Sequence, residues 1–222
     1  MTTVGIIGSG MIGGTVARLS VAAGHRVVLS NSRGPETLAE LAAELGPLAT
    51  AGTAGQAAEA GHLVVVSVPV KAFGEIPVKP LAGKPVLDTG NYYPQRDGHL
   101  AELDTGALTS SGLLQRDLPD AKVVKVFNNI TFRHLGSLAR PHGAQDRTAL
   151  PIAGDSPTAK AAVTEFLDSI GYDAVDAGSL ADSWHQEPGT PVYGTPYGPF
   201  SDEVGTPASA AKIHVALVGA HR

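Results

Sequence analysis

A glycine-rich hexapeptide near the N-terminus carries the clearest chemical signal in the sequence. Gly8-Ser9-Gly10-Met11-Ile12-Gly13 matches G-x-G-x-x-G, a pattern that is weak by itself because it is common in loops. Here it directly follows an apolar run at residues 4–7 and opens a helical pattern at residues 12–23. In that context the helix N-terminus faces a diphosphate, while the glycines allow a tight turn and close packing. The motif therefore predicts dinucleotide binding, and the alternative is an ordinary strand-to-helix turn.

The turn after the second predicted strand indicates which dinucleotide binds. An NAD site would place a carboxylate there on the ribose hydroxyls. This chain instead has Ser30-Asn31-Ser32-Arg33-Gly34, without an acidic residue. The guanidinium of Arg33, with Asn31 and Ser32 as neutral donors, fits a 2′-phosphate. The turn therefore predicts NADP(H), whereas the alternative, a solvated arginine, leaves the strand without a group that recognises the ribose.

Composition excludes several other kinds of chemistry. The net charge is −5, and no cluster of Lys and Arg could neutralise a run of phosphates, so we expect no nucleic-acid partner. The chain has no cysteine, and its histidines form no i, i+4 pair on a helix, so we predict no metal site. No apolar run approaches the roughly 18 residues of a membrane span, and the start lacks a basic leader. We therefore expect a cytoplasmic protein without a membrane partner.

Apolar runs alternating with helical patterns predict the elements that hold these residues. The first strand, helix and second strand form a βαβ unit that closes at Gly24. A second crossover helix begins at Gly34-Pro35-Glu36 and ends at Gly46-Pro47. Three more buried strands are expected, and their β-branched residues suit a sheet covered on both faces. They span residues 63–68, 85–88 and 123–127.

The C-terminal part extends this sheet and then changes character. Strands are predicted at residues 149–153 and 172–175 around a helix at 157–170, with Pro151 pushing the first strand towards an edge. Residues 187–198 are too rich in Gly and Pro for a helix or central strand and predict a functional loop. A last helix is expected at 207–219, packing through Ala211, Val215 and Leu217. We thus predict an α/β, Rossmann-type doubly wound, mainly parallel sheet at 1–178, with a small C-terminal loop and helix lobe at 179–222 completing the substrate pocket.

Four segments together resemble the family of coenzyme F420-dependent NADP oxidoreductases, and the likeness covers most of the chain. They are the phosphate loop, the Asn-Ser-Arg-Gly turn, and residues 88–94 and 124–130. The resemblance implies a small Rossmann protein, usually a homodimer, that exchanges a hydride between NADP(H) and the deazaflavin F420. It also implies that Gly8 to Gly13 and Asn31 to Arg33 bind NADP, and that Val68 and Pro69 form the wall beside the nicotinamide. Where members often carry a second basic residue one turn after the arginine, this chain has Thr37.

Residues that follow three predicted strands should converge on the nicotinamide, because ligands of open α/β sheets lie beyond the carboxyl ends of the strands. Asn129 could hold the nicotinamide or the acceptor through its amide, or simply form a turn. Tyr92 and Tyr93 could cap a ring face or donate a proton, or be packing residues. His134 could protonate a reduced acceptor, or be solvated. The remaining residues expected near the nicotinamide are Ser67, Val68, Pro69 and Asn91.

The chemistry expected of this site is hydride transfer, for which the protein chiefly supplies proximity and alignment. The leading hypothesis is an NADPH-dependent oxidoreductase whose small-molecule redox acceptor is a ring such as F420 or a flavin. Only Lys71, Arg96 and Arg133 are candidate counter-charges for the anionic tail of F420. The alternatives are a reductase of a small imine or carbonyl substrate and a non-catalytic NADP(H) sensor.

Overall fold

The computed structural model describes residues 1–221, and an eight-stranded sheet forms its centre. The strand order is β3-β2-β1-β4-β5-β6-β7-β8, and every neighbouring pair is parallel except β6 and β7. This is the mainly parallel, Rossmann-type arrangement predicted from the sequence. The strands are β1 (Thr3–Ile7), β2 (Arg26–Ser30), β3 (Ala49–Ala51), β4 (Leu63–Val66), β5 (Pro85–Asp88), β6 (Lys122–Lys125), β7 (Thr148–Gly154) and β8 (Tyr172–Asp176).

Helices cover both faces of the sheet and bury it in two apolar clusters. The longest are the crossover helix after β1 and the helix between β7 and β8, and a capping box of Thr53 and Gln56 starts the third helix. The α-helices are α1 (Met11–Ala22), α2 (Ala39–Leu45), α3 (Ala54–Ala60), α4 (Pro94–Asp97), α5 (Ala101–Asp104), α6 (Ser110–Asp117), α7 (Phe132–Ser137), α8 (Pro157–Ser169) and α9 (Ala210–Val218). Short 3₁₀ turns include Pro35–Leu38, Val70–Glu75, Ala181–Gln186 and Thr195–Tyr197.

The predicted edge position of the strand containing Pro151 is wrong. β7 lies between β6 and β8, yet its pairing with β6 covers only Ala153 and Gly154. Ile152 faces β8, because its carbonyl accepts the Ala177 N–H. Adjacent residues of a strand point to opposite sides, so the backbone nitrogen of Pro151 points away from β8. On that side β6 pairs only with Ala153 and Gly154, so no ladder hydrogen bond is lost at Pro151. An interior strand accommodates the proline for that reason.

The predicted packing face of the last helix is also wrong in part. Ile213 and Leu217 of α9 are buried against the sheet, whereas Ala211 and Val215 face solvent. The helix begins at Ala210, capped by Ser209, three residues after the predicted start. Successive residues of a helix point about 100° apart, so the choice of residues decides which face is predicted to pack. The predicted face left out Ile213 and for that reason was placed wrongly.

Candidate functional site

An open cavity of about 320 Å³ lies at the carboxyl ends of β1, β2 and β4. Nine residues predicted to bind the cofactor line it, together with six that the sequence did not indicate. The predicted ones are Gly8, Ser9, Gly10, Asn31, Ser32, Arg33, Ser67, Val68 and Pro69. The others are Ile7, Ser30, Ala54, Ala72, Glu75 and Ile76. Met11, Ile12, Gly13 and Asn91, also predicted to bind the cofactor, are not part of this lining.

The phosphate loop is fastened to the end of β2. The backbone N–H groups of Gly8 and Ser9 and the Ser9 hydroxyl all donate to the Ser30 carbonyl, each at 3.0 Å. Gly10 is the N-cap of α1 and offers no side-chain cap, so the first amides of the helix remain available to an anion. A Cβ on Gly13 would lie 2.0 Å from the Gly8 carbonyl oxygen. Only glycine allows α1 to approach the loop this closely.

The turn after β2 is braced from within. Asn31 Oδ1 accepts the Arg33 N–H at 2.9 Å, and Asn31 Nδ2 donates to Thr37 Oγ1 at 2.9 Å. Thr37 in turn donates to the Gly34 carbonyl. The exposed Arg33 guanidinium forms no hydrogen bond or ion pair within residues 1–221. The turn therefore presents a free cation at the mouth of the cavity.

A carboxylate that the sequence argument missed folds back onto this turn. A Cβ on Gly34 would lie 2.3 Å from Glu36 Oε1, so the Glu36 carboxylate packs over the glycine backbone. A ribose-binding carboxylate is expected within Ser30 to Gly34 in an NAD site, and Glu36 lies two residues beyond that segment. Only the reversal of the chain at Gly34, where φ is 100°, brings it near.

Asn129, predicted near the nicotinamide, and its neighbour Asn128 hold the C-terminal segment instead of lining the cavity. Asn128 Nδ2 donates to Asn91 Oδ1 at 2.9 Å and to the Gln186 carbonyl at 2.6 Å. Asn129 Nδ2 donates to the Val192 carbonyl, and the Asn129 carbonyl accepts the Gly194 N–H. Residues 186–194 are thereby tied to the end of β6.

Two other residues predicted as catalytic are occupied elsewhere. The Tyr92 hydroxyl donates to Asp104 Oδ1 at 2.6 Å and accepts the Leu100 N–H, which secures the segment around α5. His134 is fully buried, so the solvated alternative is wrong, and its Nε2 lies 3.1 Å from the Asp202 carbonyl. Neither residue lines the cavity at β1, β2 and β4.

A buried ion pair connects the ends of β5 and β6. The fully buried Lys125 donates to the Gly90 carbonyl and to the hydroxyls of Ser110 and Ser111, and its Nζ lies 3.9 Å from Asp88 Oδ2. Asp88 accepts the Gly90 N–H and the Ser111 hydroxyl. The pair fixes the segment that follows β5. No sequence signal other than a lysine within an apolar run marked it.

Among residues 1–221, no group of three or more His, Asp or Glu side chains could hold a metal ion. Within the same range, no helix is long and apolar enough to cross a membrane.

Comparison with known proteins identifies the family. The family described as NADP oxidoreductase, coenzyme F420-dependent, matches residues 3–92. The crystal structure of the hypothetical protein SMa0349 from Sinorhizobium meliloti is 30% identical, with a TM-score of 0.75 over 86% of this chain and 93% of that one. A putative F420-dependent NADP-reductase from Arthrobacter sp. FB24 has a TM-score of 0.68 at 24% identity, over 82% and 87% of the two chains. The chain belongs to the F420-dependent NADP oxidoreductase family. It is therefore an NADP-dependent oxidoreductase.

A curated relative matches a short part of this chain. The Escherichia coli (strain K12) protein YjhV is 42% identical over 53 residues, which is 24% of this chain and 39% of YjhV.

Proposed function

We propose that the protein transfers a hydride between NADP(H) and a second, ring-type acceptor such as F420 or a flavin. One observation carries the proposal: the phosphate loop and the Arg33 turn line a single cavity at the carboxyl ends of β1, β2 and β4. This is the position at which a doubly wound sheet binds a dinucleotide, because the strand order reverses between β1 and β4.

The residues of the cavity fit NADP(H). The uncapped N-terminus of α1 would hold the diphosphate, and Arg33 would pair with the 2′-phosphate. Val68 and Pro69 would form the wall beside the nicotinamide. When bound, NADPH supplies the hydride. The protein then has to align the two rings and exclude water.

The acceptor would lie farther along the same edge, at the ends of β5 and β6. Residues 179–221 would close that side as a C-terminal lobe, since Asn128 and Asn129 hold residues 186–194 there. Residue 222 of the lobe predicted at 179–222 lies outside the described residues. We also propose a homodimer, for which Val215 and Val218 of α9 offer exposed apolar side chains.

Replacing Arg33 tests the choice of cofactor. We expect Arg33→Ala to weaken NADPH binding by about 1.5–3 kcal/mol, the usual contribution of a charged hydrogen bond, or about 10- to 150-fold. NADH binding should change little, because NADH lacks the 2′-phosphate. Titration calorimetry with both cofactors measures the difference. Arg26→Ala is the matched control, since Arg26 is exposed at the opposite end of β2. Equal losses for NADPH and NADH would contradict the assignment.

The acceptor is tested by turnover. Purified protein is mixed with NADPH and, in separate reactions, oxidised F420, FMN or the cyclic imine 1-pyrroline, and oxidation of NADPH is followed. We expect oxidation with a ring acceptor. Oxidation with the imine alone would support the imine or carbonyl reductase. Tight NADPH binding without any turnover would support an NADP(H) sensor.

A further inference from the structure

Two tyrosine hydroxyls meet at the carboxyl edge of the sheet. Tyr93 follows β5, and Tyr193 belongs to the segment that Asn129 holds at the end of β6 through the Gly194 N–H. The hydroxyl oxygens lie 2.6 Å apart, although the residues are 100 positions apart in sequence. Both side chains are half-buried.

The pair lies on the side of the cofactor cavity towards which the reacting end of the dinucleotide would point. The cavity spans the ends of β2, β1 and β4, with Arg33 at the β2 side. A dinucleotide whose adenosine phosphate contacts Arg33 and whose diphosphate contacts α1 must extend towards β5. The next two strand ends in the sheet are those that carry Tyr93 and hold Tyr193.

An aromatic surface adjoins the pair. A shallow cavity of about 390 Å³ is lined by Tyr193, Gly194, Thr195, Gly198, Pro199 and Phe200. The rings of Tyr193 and Phe200 meet edge to face at 5.8 Å, and Phe200 is 54% exposed. An exposed phenylalanine beside a proline and a tyrosine offers a flat conjugated ring a surface on which to stack.

The pair has one hydroxyl proton that the hydrogen bond between the two tyrosines does not use. Two hydroxyls share one hydrogen bond, so one of the two protons remains available to a third group. Burial raises the pKa of Tyr193, and the hydrogen bond to Tyr93 raises it further, so this hydroxyl stays protonated in the ordinary pH range. Two charged groups contact Tyr93 away from the hydrogen bond between the hydroxyls. The Arg96 guanidinium lies 5.0 Å from the Tyr93 ring centroid, and Asp97 accepts the Tyr93 N–H.

We infer that the Tyr93 and Tyr193 hydroxyls, with Phe200, form the acceptor site, and that the pair donates a hydrogen bond to a carbonyl oxygen or ring nitrogen of a flat conjugated acceptor. This inference rests on the proposed function. In the reaction, the carbon–hydrogen bond at C4 of the dihydronicotinamide breaks, and its electron pair forms a carbon–hydrogen or nitrogen–hydrogen bond on the acceptor. NADPH becomes NADP⁺. The conjugated heteroatom gains a proton from the pair, which regains one from water.

Ring binding to the protein saturated with NADP⁺ tests the inference directly. Oxidised FMN and oxidised F420 are titrated and their fluorescence is followed. We expect Tyr93→Phe and Tyr193→Phe each to weaken binding of the ring about three- to tenfold, as for a lost neutral hydrogen bond, with NADPH affinity unchanged. The double variant should lose little more than either single variant, because the hydroxyls act as a unit. Phe200→Ala should weaken binding of the ring about tenfold through lost stacking.

Tyr172→Phe is the control for a general loss of stability. It removes a tyrosine hydroxyl from the core, where Tyr172 donates to the Leu135 carbonyl. If this variant weakens ring binding as much as Tyr193→Phe does, the inference is overturned. Additive losses in the double variant, or no binding of either ring to wild-type protein, also overturn it. In the last case, tight and Arg33-dependent NADPH binding would still support the cofactor part of the proposed function.

Discussion

At the scale of single residues, Gly10 and Gly13 of the phosphate loop differ in the space around them. A Cβ on Gly13 would collide with the Gly8 carbonyl oxygen, whereas a Cβ on Gly10 meets nothing within 4 Å. Gly10 also has an ordinary φ of −78°. The fold therefore requires glycine at position 13, whereas nothing in the described structure requires it at position 10. At position 10 we propose that the approach of the dinucleotide requires glycine.

Alanine at these two positions should separate folding from binding. We expect Gly13→Ala to lower both the free energy of unfolding and NADPH affinity. Gly10→Ala should leave the free energy of unfolding within about 0.5 kcal/mol of wild type and still weaken NADPH binding, because the new methyl group would stand in the path of the diphosphate. Urea denaturation and calorimetry measure the two effects. Wild-type NADPH affinity in Gly10→Ala would refute this division of roles.

Residue types and spacing predicted the part of the site that is local in sequence. The loop from Gly8 to Gly10 and the turn from Asn31 to Arg33 each follow a strand directly, so position along the chain fixes position in the cavity. Glu75 reaches the same cavity from a 3₁₀ turn that has no periodic pattern. The contact between Tyr93 and Tyr193 depends on how the C-terminal segment packs, which no local rule specifies.

At the scale of elements, strong apolar runs predicted β1, β2 and β5 closely, whereas weaker signals failed. The predicted strand at 123–127 is displaced to Lys122–Lys125, because Phe127 adopts a left-handed backbone with φ of 66°. Such a conformation costs about 1–3 kcal/mol and persists only where the surroundings enforce it, and here the ring is fully buried. The short β3 and helices α3 to α6 were missed because their runs are brief and rich in alanine or polar residues.

The buried pair at the ends of β5 and β6 should be costly to break. We expect Lys125→Met to lower the free energy of unfolding by about 3–5 kcal/mol, because it leaves the Asp88 carboxylate buried without its partner. Adding Asp88→Asn should recover part of that loss. Lys122→Met is the matched control, since Lys122 is exposed on the same strand. Chemical denaturation of the four variants, Asp88→Asn alone included, gives the coupling energy. A double variant with strictly additive losses would show that the charges do not interact.

At the scale of the whole molecule, the C-terminal segment belongs to the same core as β1, β2 and β7. Val192, Tyr197, Ala208, Ile213 and Leu217 are buried in one cluster with residues of β1, β2 and β7. Tyr197 also donates to the Ala149 carbonyl, and the Ala149 N–H donates to the Ala208 carbonyl. Residues 192–217 of the proposed lobe are thus integrated with the sheet by packing and by hydrogen bonds.

Two positions of α9 test that integration. Ile213→Ala should lower the free energy of unfolding by about 2–5 kcal/mol, as large-to-small changes in a core do. Val215→Ala, two residues away and 72% exposed, should change it by less than about 0.5 kcal/mol in the monomer. Thermal and urea denaturation give both values. Similar losses at the two positions would mean that α9 is covered on both sides.

The Ser30 carbonyl accepts three hydrogen bonds from Gly8 and Ser9 of the phosphate loop. These bonds hold the end of β2 and the loop before α1 in a fixed arrangement. Little of the binding energy of the intact coenzyme then has to be spent on assembling a receptor from separate parts. On the proposed cofactor assignment, we expect half-coenzymes that carry only the phosphorylated adenosine to meet a site already in its final shape. Such fragments are suitable starting points for inhibitors that leave the proposed acceptor site at the ends of β5 and β6 empty.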